Sequence, residues 1–292
     1  MPFTPSPLRY PGGKTQLYPL VRQILAYNGI LGGAYIEPFA GGAGLAIKLL
    51  LRDEVENIVL NDFDKAVYSV WHSILYSTDE LCSLIEDSKL SIEEWQEHKQ
   101  TYEKLDSSDL LALGFSTFYL NRTNVSGIIK GGVIGGKSQQ GAYKIDARFN
   151  RLGLIKRIHD IAEHRDRISL SNIDAVNFVD SELVSSQKKA LINFDPPYVL
   201  KGGMLYKNSY CEKDHVVLAN KIHSCQHPWI TTYDICPLIK ELYSNYRSSV
   251  LGINYSIGDT RSAKEYIFFS HNIKLPPDLL PLACIQAESR AS

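Results

Sequence analysis

Three observations predict an α/β fold built on a doubly wound, mostly parallel sheet. A short apolar run at residues 34–39 ends in a cluster of glycines, helical spacing resumes at Leu45, and a second apolar run follows at 58–60. That order of strand, glycine turn, helix and strand is the repeating unit of such sheets. Further runs at 168–170, 190–194, 229–233, 249–255 and 266–269 bring the strands to seven, and the last two lie close enough to pair antiparallel.

The remaining elements fall between these strands. Residues 16–25 carry helical spacing, and 66–118 read as amphipathic helices with acidic faces around Glu93, Glu94 and Glu97. The stretch 121–150 breaks the pattern, because Gly127, Gly131, Gly132, Gly135, Gly136 and Gly141 interleave with Ile128, Ile129, Val133 and Tyr143. Glycine turns between β-prone runs predict a hairpin or a long functional loop. Helical spacing returns at 152–162. There is no internal repeat.

With 44% hydrophobic and 22% charged residues, the 292-residue chain can bury a sizeable core, which excludes extended disorder and fibrous architectures. No apolar run is long enough to span a membrane. The amino terminus lacks the pattern of a signal peptide and the five cysteines form no disulfide framework, so a cytoplasmic location is expected. The net charge of −1 conceals segregation: residues 52–109 hold fifteen acidic against five basic side chains, whereas 122–157 hold eight basic and one acidic, Asp146. A basic stripe of that kind can bind phosphates on an otherwise near-neutral protein.

Gly41, Gly42 and Gly44, after a strand and before a helix, let the backbone approach a ligand closely. Asp62, eighteen residues beyond Gly44 and at the end of the next strand, can accept hydrogen bonds from ribose hydroxyls, so the pair indicates a nucleoside-type cofactor. The run Pro11-Gly12-Gly13-Lys14-Thr15 invites a phosphate-loop reading, but the first glycine of that motif is replaced by Leu8 and no strand precedes it. What remains is a lysine on a sharp turn, suited to hold a carboxylate. Asp195-Pro196-Pro197-Tyr198 follows an apolar strand. Its prolines can neither continue a ladder nor enter a helix directly, leaving the Asp195 carboxylate and the Pro196 carbonyl as adjacent acceptors for an exocyclic amino group, with Tyr198 as a surface for a ring. Cys211, His215, His223, Cys225 and His227 lack metal-ligand spacing, and no metal is expected.

Taken in order, Arg9 to Lys14, Glu37 to Gly44, Asn61-Asp62, Asn121 to Asn124 and Asp195 to Tyr198 resemble the Dam-type DNA adenine methyltransferases, over about residues 8–270. The resemblance implies a Rossmann-like methyltransferase fold and methyl transfer from S-adenosylmethionine to the amino group of a flipped adenine in double-stranded DNA. It implies a catalytic domain of residues 1–65 and 166–275, an inserted helical and hairpin target-recognition part at 66–165, and a tail at 276–292. Tyr10, Lys14, Glu37, Phe39, Gly41, Gly42, Gly44, Asp62, Asp174 and Asp195 would face the cofactor, and Asp195 to Tyr198 would hold the base. Arg122, Lys130, Lys137, Lys144, Arg148 and Arg151 would meet phosphates, with Asn121, Arg122 and Asn124 reading base edges. The loop is glycine-richer than in the GATC-methylating members and looks closer to a phage or restriction-associated branch. That leaves room for a cognate restriction endonuclease, in a bacterial nucleoid or a phage-infected cell. The Asp-Pro-Pro-Tyr signature also serves enzymes acting on RNA and on other amino groups, and a catalytically silent DNA-binding relative would share it.

Overall fold

A computed structural model of the chain describes residues 4–10, 12–200, 210–255 and 261–277, the side chains of 253–255 and 261–263 excepted. The expected tail therefore lies almost wholly outside the described residues. A 3₁₀ turn, Lys14–Leu17, leads into α1 (Tyr18–Tyr27). The helix predicted from 16 is split because Pro19, which has no N–H to donate, belongs in the first α-helical turn. Strand β1 (Ala34–Glu37) stops two residues earlier than its apolar run, at Pro38, for the same want of a donor. Then follow α2 (Gly44–Leu50), β2 (Asn57–Asn61), α3 (Lys65–Tyr76), α4 (Thr78–Asp87), α5 (Ile92–Lys104) and α6 (Leu110–Thr123). Asp64, Ser91 and Asp109 start α3, α5 and α6 by accepting backbone N–H groups that the helices themselves leave unpaired.

The second half comprises α7 (Arg151–Ala162), β3 (Ile168–Ser171), α8 (Ala175–Val179), α9 (Glu182–Ser185), β4 (Ala190–Phe194), α10 (Glu212–His223), β5 (Trp229–Asp234), α11 (Pro237–Leu242), β6 (Arg247–Tyr255) and β7 (Arg261–Phe269). The sheet order is β3-β2-β1-β4-β5-β7-β6. All neighbours pair parallel except those of β7, which runs antiparallel to both β5 and β6. The mostly parallel seven-stranded sheet with its antiparallel strand near the carboxyl end is as expected. β1 and β4 are neighbours although far apart in sequence, so the winding reverses between them. In doubly wound sheets the crevice at that reversal, beyond the carboxyl ends of the strands, is where ligands bind.

Two apolar cores cover the sheet faces. One packs α8 to α11 against Ile36, Ile192, Phe194, Trp229 and Phe268. The other joins α1 and α2 to Trp71, Trp95, Phe118 and Ile158, so the helices inserted between β2 and β3 continue the core of that face. The expected hairpin within 121–150 is reduced to a single bridge between Asn124 and Val133. Positive φ at Gly127, Gly135 and Gly136 turns the chain too often for a ladder to extend. No described helix is long and apolar enough to cross a membrane.

Candidate active site

The reversal is flanked by the two segments that the sequence singled out. After β1 the backbone enters left-handed conformations at Gly41 (φ 47°) and Ala43 (φ 43°) before α2 begins. A side chain at 41 would meet the ring of Tyr10 at 2.7 Å, so glycine is what allows Tyr10 to lie against the turn. Asp62, just past β2, accepts from the Gly41 N–H at 2.8 Å and from the Asp64 N–H at 2.9 Å. Burial nevertheless pushes its carboxyl up to about 7, with the Gly41 bond pulling the other way. Asn61 ties the strand ends together, donating to the carbonyls of Pro38 and Ile173. Asp174 caps α8 through the Val176 N–H, Phe39 is half-buried, and Phe63 and Ile173 leave large apolar side chains exposed beside them. Glu37 is buried at the end of β1, and its carboxyl is raised to about 8, first by burial and then by the charge of Asp195.

Beyond β4, the Asp195 carboxylate is fixed on one side. Its Oδ1 lies 2.9 Å from Lys14 Nζ, accepts from Thr232 Oγ1 at 2.8 Å, and is within 3.4 Å of Tyr198 Oη. Among the described residues no donor reaches Oδ2 or the Pro196 carbonyl. Lys14 is itself buried and donates to Tyr198 Oη at 2.8 Å and to the Gly12 carbonyl at 3.0 Å, with Glu265 Oε2 3.4 Å away. Burial raises the Glu265 carboxyl, and the Lys14 charge opposes that rise. Asp234 holds the chain after Tyr198, accepting from the N–H groups of Val199 and Leu200 at 3.1 and 2.7 Å.

Lys14 pairs with the Asp195 carboxylate, both of them residues assigned to the cofactor. One expectation changes here. Tyr198 presents no open face for a base, because the residue is 7% exposed and its ring lies beneath Lys14 and packs towards Tyr233. Sequence reasoning missed Thr232, Asp234 and Glu265. For Thr232 and Asp234 the signal was there, as polar residues two apart in β5, which is buried throughout; Glu265 lies on β7, where only strand register brings it beside them.

The basic segment divides in two. Lys130, Lys137, Lys144 and Arg148 are exposed, as a phosphate-facing stripe requires. Asn121 and Asn124, in contrast, are buried. Asn121 bonds the Arg9 backbone in both directions, accepting from its N–H at 2.8 Å and donating to its carbonyl at 2.7 Å. Asn124 accepts from the Trp95 indole at 2.7 Å and donates to the carbonyls of Ile128 and Ile129. Neither amide is presented to a base, because both are engaged in shaping the loop. Arg122 donates to the Arg148 carbonyl, and burial together with Arg9, Arg157 and Arg148 lowers it to about 9. Arg9 donates to the Asn124 carbonyl and Arg157 to that of Ser6. Among the described residues no group of side chains could hold a metal ion; His215 and His223 pack against Tyr233 and Tyr246.

The site thus combines a 3-2-1-4-5-7-6 sheet with a glycine turn after its first strand and an Asp-Pro-Pro-Tyr segment after its fourth. The sequence model of the D12 class N6 adenine-specific DNA methyltransferases matches residues 10–257, and the chain belongs to that family. It is 25% identical over 209 residues to the type II methyltransferase M.MjaIII of Methanocaldococcus jannaschii, an alignment covering 65% of this chain and 68% of that one. Solved structures with a similar chain path include PH1948 of Pyrococcus horikoshii, with a TM-score of 0.42, 11% identity and coverage of 92% and 87% of the two chains. Another is the rRNA methyltransferase aviRa of Streptomyces viridochromogenes, with a TM-score of 0.41, 11% identity and coverage of 90% and 88%. The family is one of enzymes that methylate adenine in DNA, which favours DNA over RNA as the substrate.

Proposed function

We propose that this enzyme takes its methyl group from S-adenosylmethionine and delivers it to an adenine turned out of double-stranded DNA, with Asp195 and the Pro196 carbonyl as the acceptors of the adenine amino group. The arrangement around Asp195 carries the reading: Oδ1 is held from three sides, while no described donor reaches Oδ2 or the neighbouring carbonyl at the winding reversal.

The residues after β1 and β2 suit a nucleoside sulfonium. Asp62 is a carboxylate for ribose hydroxyls, exposed Phe63 and Ile173 offer apolar surface to a purine, with Asp174 nearby in sequence, and the Gly41-Gly42 turn with Tyr10 admits a ligand close to backbone. Glu37 and Phe39 complete that side. When bound, S-adenosylmethionine supplies a methyl group already activated by positive sulfur. The protein's part is alignment. An adenine within a duplex cannot reach this crevice, and leaving the stack costs a few kcal/mol. Once there, its two amino hydrogens bond to Asp195 Oδ2 and the Pro196 carbonyl, which concentrates the lone pair on nitrogen and directs it away from the two acceptors. Pro197 holds the turn rigid, and Tyr198 anchors Lys14. Lys130, Lys137, Lys144 and Arg148, with Arg9, Arg122 and Arg157 behind them, meet backbone phosphates.

On this reading residues 1–65 and 166–275 are the catalytic part and 66–165 the target-recognition part. Work on cellular DNA puts the enzyme in the cytoplasm, and a restriction endonuclease cutting the same site is the partner that such methylation would restrain. The test is incubation of the purified chain with methyl-labelled S-adenosylmethionine and either unmethylated duplex DNA or RNA. Label is expected on N6 of adenine in the duplex, and Asp195→Ala should lose it at least about a thousandfold while still binding the cofactor by calorimetry. Label in RNA alone, or undiminished turnover by Asp195→Ala, would overturn the proposal.

A further inference from the structure

Thr232, Asp234 and Glu265 are 5% exposed or less. Residues two apart on a strand point to the same face, and Asp234 stands directly opposite Glu265 in the β5–β7 register. The three therefore share one sheet face, in company with Ile230, Ile267 and Phe269. Polar groups buried in such surroundings are destabilising unless each finds a partner. Their partners all belong to one constellation: Thr232 holds Asp195, Asp234 holds the two residues after Tyr198, and Glu265 faces the lysine that holds Asp195.

We propose that Thr232, Asp234 and Glu265 are positioning residues for methyl transfer, a rack on the β5–β7 face that fixes the plane of the Asp195 carboxylate so that Oδ2 meets the target amino group. The inference rests on the reading of Asp195 as amino acceptor. A carboxylate free to spin offers a donor no fixed direction, and alignment is the chief thing this protein supplies to the transfer. Holding Oδ1 from three sides removes that freedom. Lys14 alone could not, because a lysine on a flexible stem is a mobile charge; Glu265 and the Tyr198 hydroxyl locate it. Asp234 acts on the backbone, setting where the Pro-Pro turn ends.

The decisive pair of variants is Thr232→Val, which keeps the shape and removes the hydroxyl, and Thr232→Ser, which keeps the hydroxyl. For Thr232→Val, kcat is expected to fall about 10- to 100-fold, while KM for duplex DNA and the calorimetric Kd for S-adenosylmethionine stay within about twofold. Thr232→Ser should recover most of the loss. Glu265→Gln should lower kcat in the same way, and the double variant should lose less than the product of the two, because both act through one carboxylate. Should Thr232→Val fail to fold, Glu265→Gln carries the same readout. Wild-type kcat in Thr232→Val and Glu265→Gln, beside an inactive Asp195→Ala, would overturn the rack and leave the function intact. Turnover by Asp195→Ala would instead remove the reading beneath it.

Discussion

The floor of the crevice and the arginine-rich loop are both crowded with charge, and they handle it in opposite ways. At the floor every charge has a counterpart: Lys14 lies between Asp195 and Glu265 with a tyrosine hydroxyl closing the cluster. Around Arg122 the like charges of Arg9, Arg148 and Arg157 are gathered, and Arg9 and Arg122 donate to backbone carbonyls, which orient a guanidinium without neutralising it. Paired charges are a means of fixing geometry. A gathering of one sign is a means of attracting a polyanion, and its cost is recovered only when phosphate arrives.

Removing Lys14 should give the largest effect. Lys14→Ala leaves two carboxylates facing each other in a buried site, and the free energy of unfolding in urea should drop by about 3 kcal/mol, with methyl transfer lost. Arg148→Ala should change stability by no more than about 0.5 kcal/mol. Equal losses in the two variants would break the comparison.

The next test uses pH. Folded Glu37 keeps its proton up to about pH 8, whereas an ordinary glutamate releases it near 4.5. The folded state thus binds the extra proton, and stability should decline as pH rises between those values. Asp62, raised to about 7, adds to the decline from 3.8 upward. Thermal melts of Glu37→Gln should show a flatter profile from pH 4.5 to 8. A profile parallel to that of the unaltered protein would show that Glu37 is not held protonated.

Asn124→Ala should destabilise by about 1–3 kcal/mol, because it strands the Trp95 indole and two carbonyls, and should leave the set of methylated sites unchanged. An altered site preference with unchanged stability would return Asn124 to base reading. The smallest effect belongs to the exposed lysines. Lys130→Ala with Lys144→Ala should make the salt dependence of DNA affinity shallower by about 1.8 in log–log slope, roughly 0.9 for each phosphate that is no longer neutralised, with no change in melting temperature. An identical slope would move the DNA to another surface.

Much of the fold was legible because a parallel sheet buried on both faces writes its strands as continuous apolar runs. All seven runs became strands, and the glycine turn and Asp-Pro-Pro-Tyr segment sit where their strands end. Helices α8, α9 and α11 escaped notice because four to six residues are too few to show a 3.6-residue period, and the twelve-residue α10 was missed as well. Thr232 lies 37 residues from the carboxylate it holds, and only strand register brings the two together. Asn121 and Asn124 were misjudged for a related reason. Spacing shows which side chains can hydrogen-bond, but whether a buried backbone has already claimed them is decided by packing.

The amino-terminal segment has a mechanical consequence. Its Arg9 is clasped by Asn121 and overlain by Gly127, where a side chain would strike the Arg9 carbonyl at 2.4 Å. One residue later Tyr10 leans on the glycine turn, and four beyond that Lys14 grips Asp195. Arg9 thus contacts the outer loop, and five positions on, Lys14 contacts Asp195. On the proposed reading, one short stretch of chain touches both the DNA-facing loop and the amino acceptor, so a one-residue insertion between Arg9 and Lys14 is expected to disturb target binding and methyl transfer together.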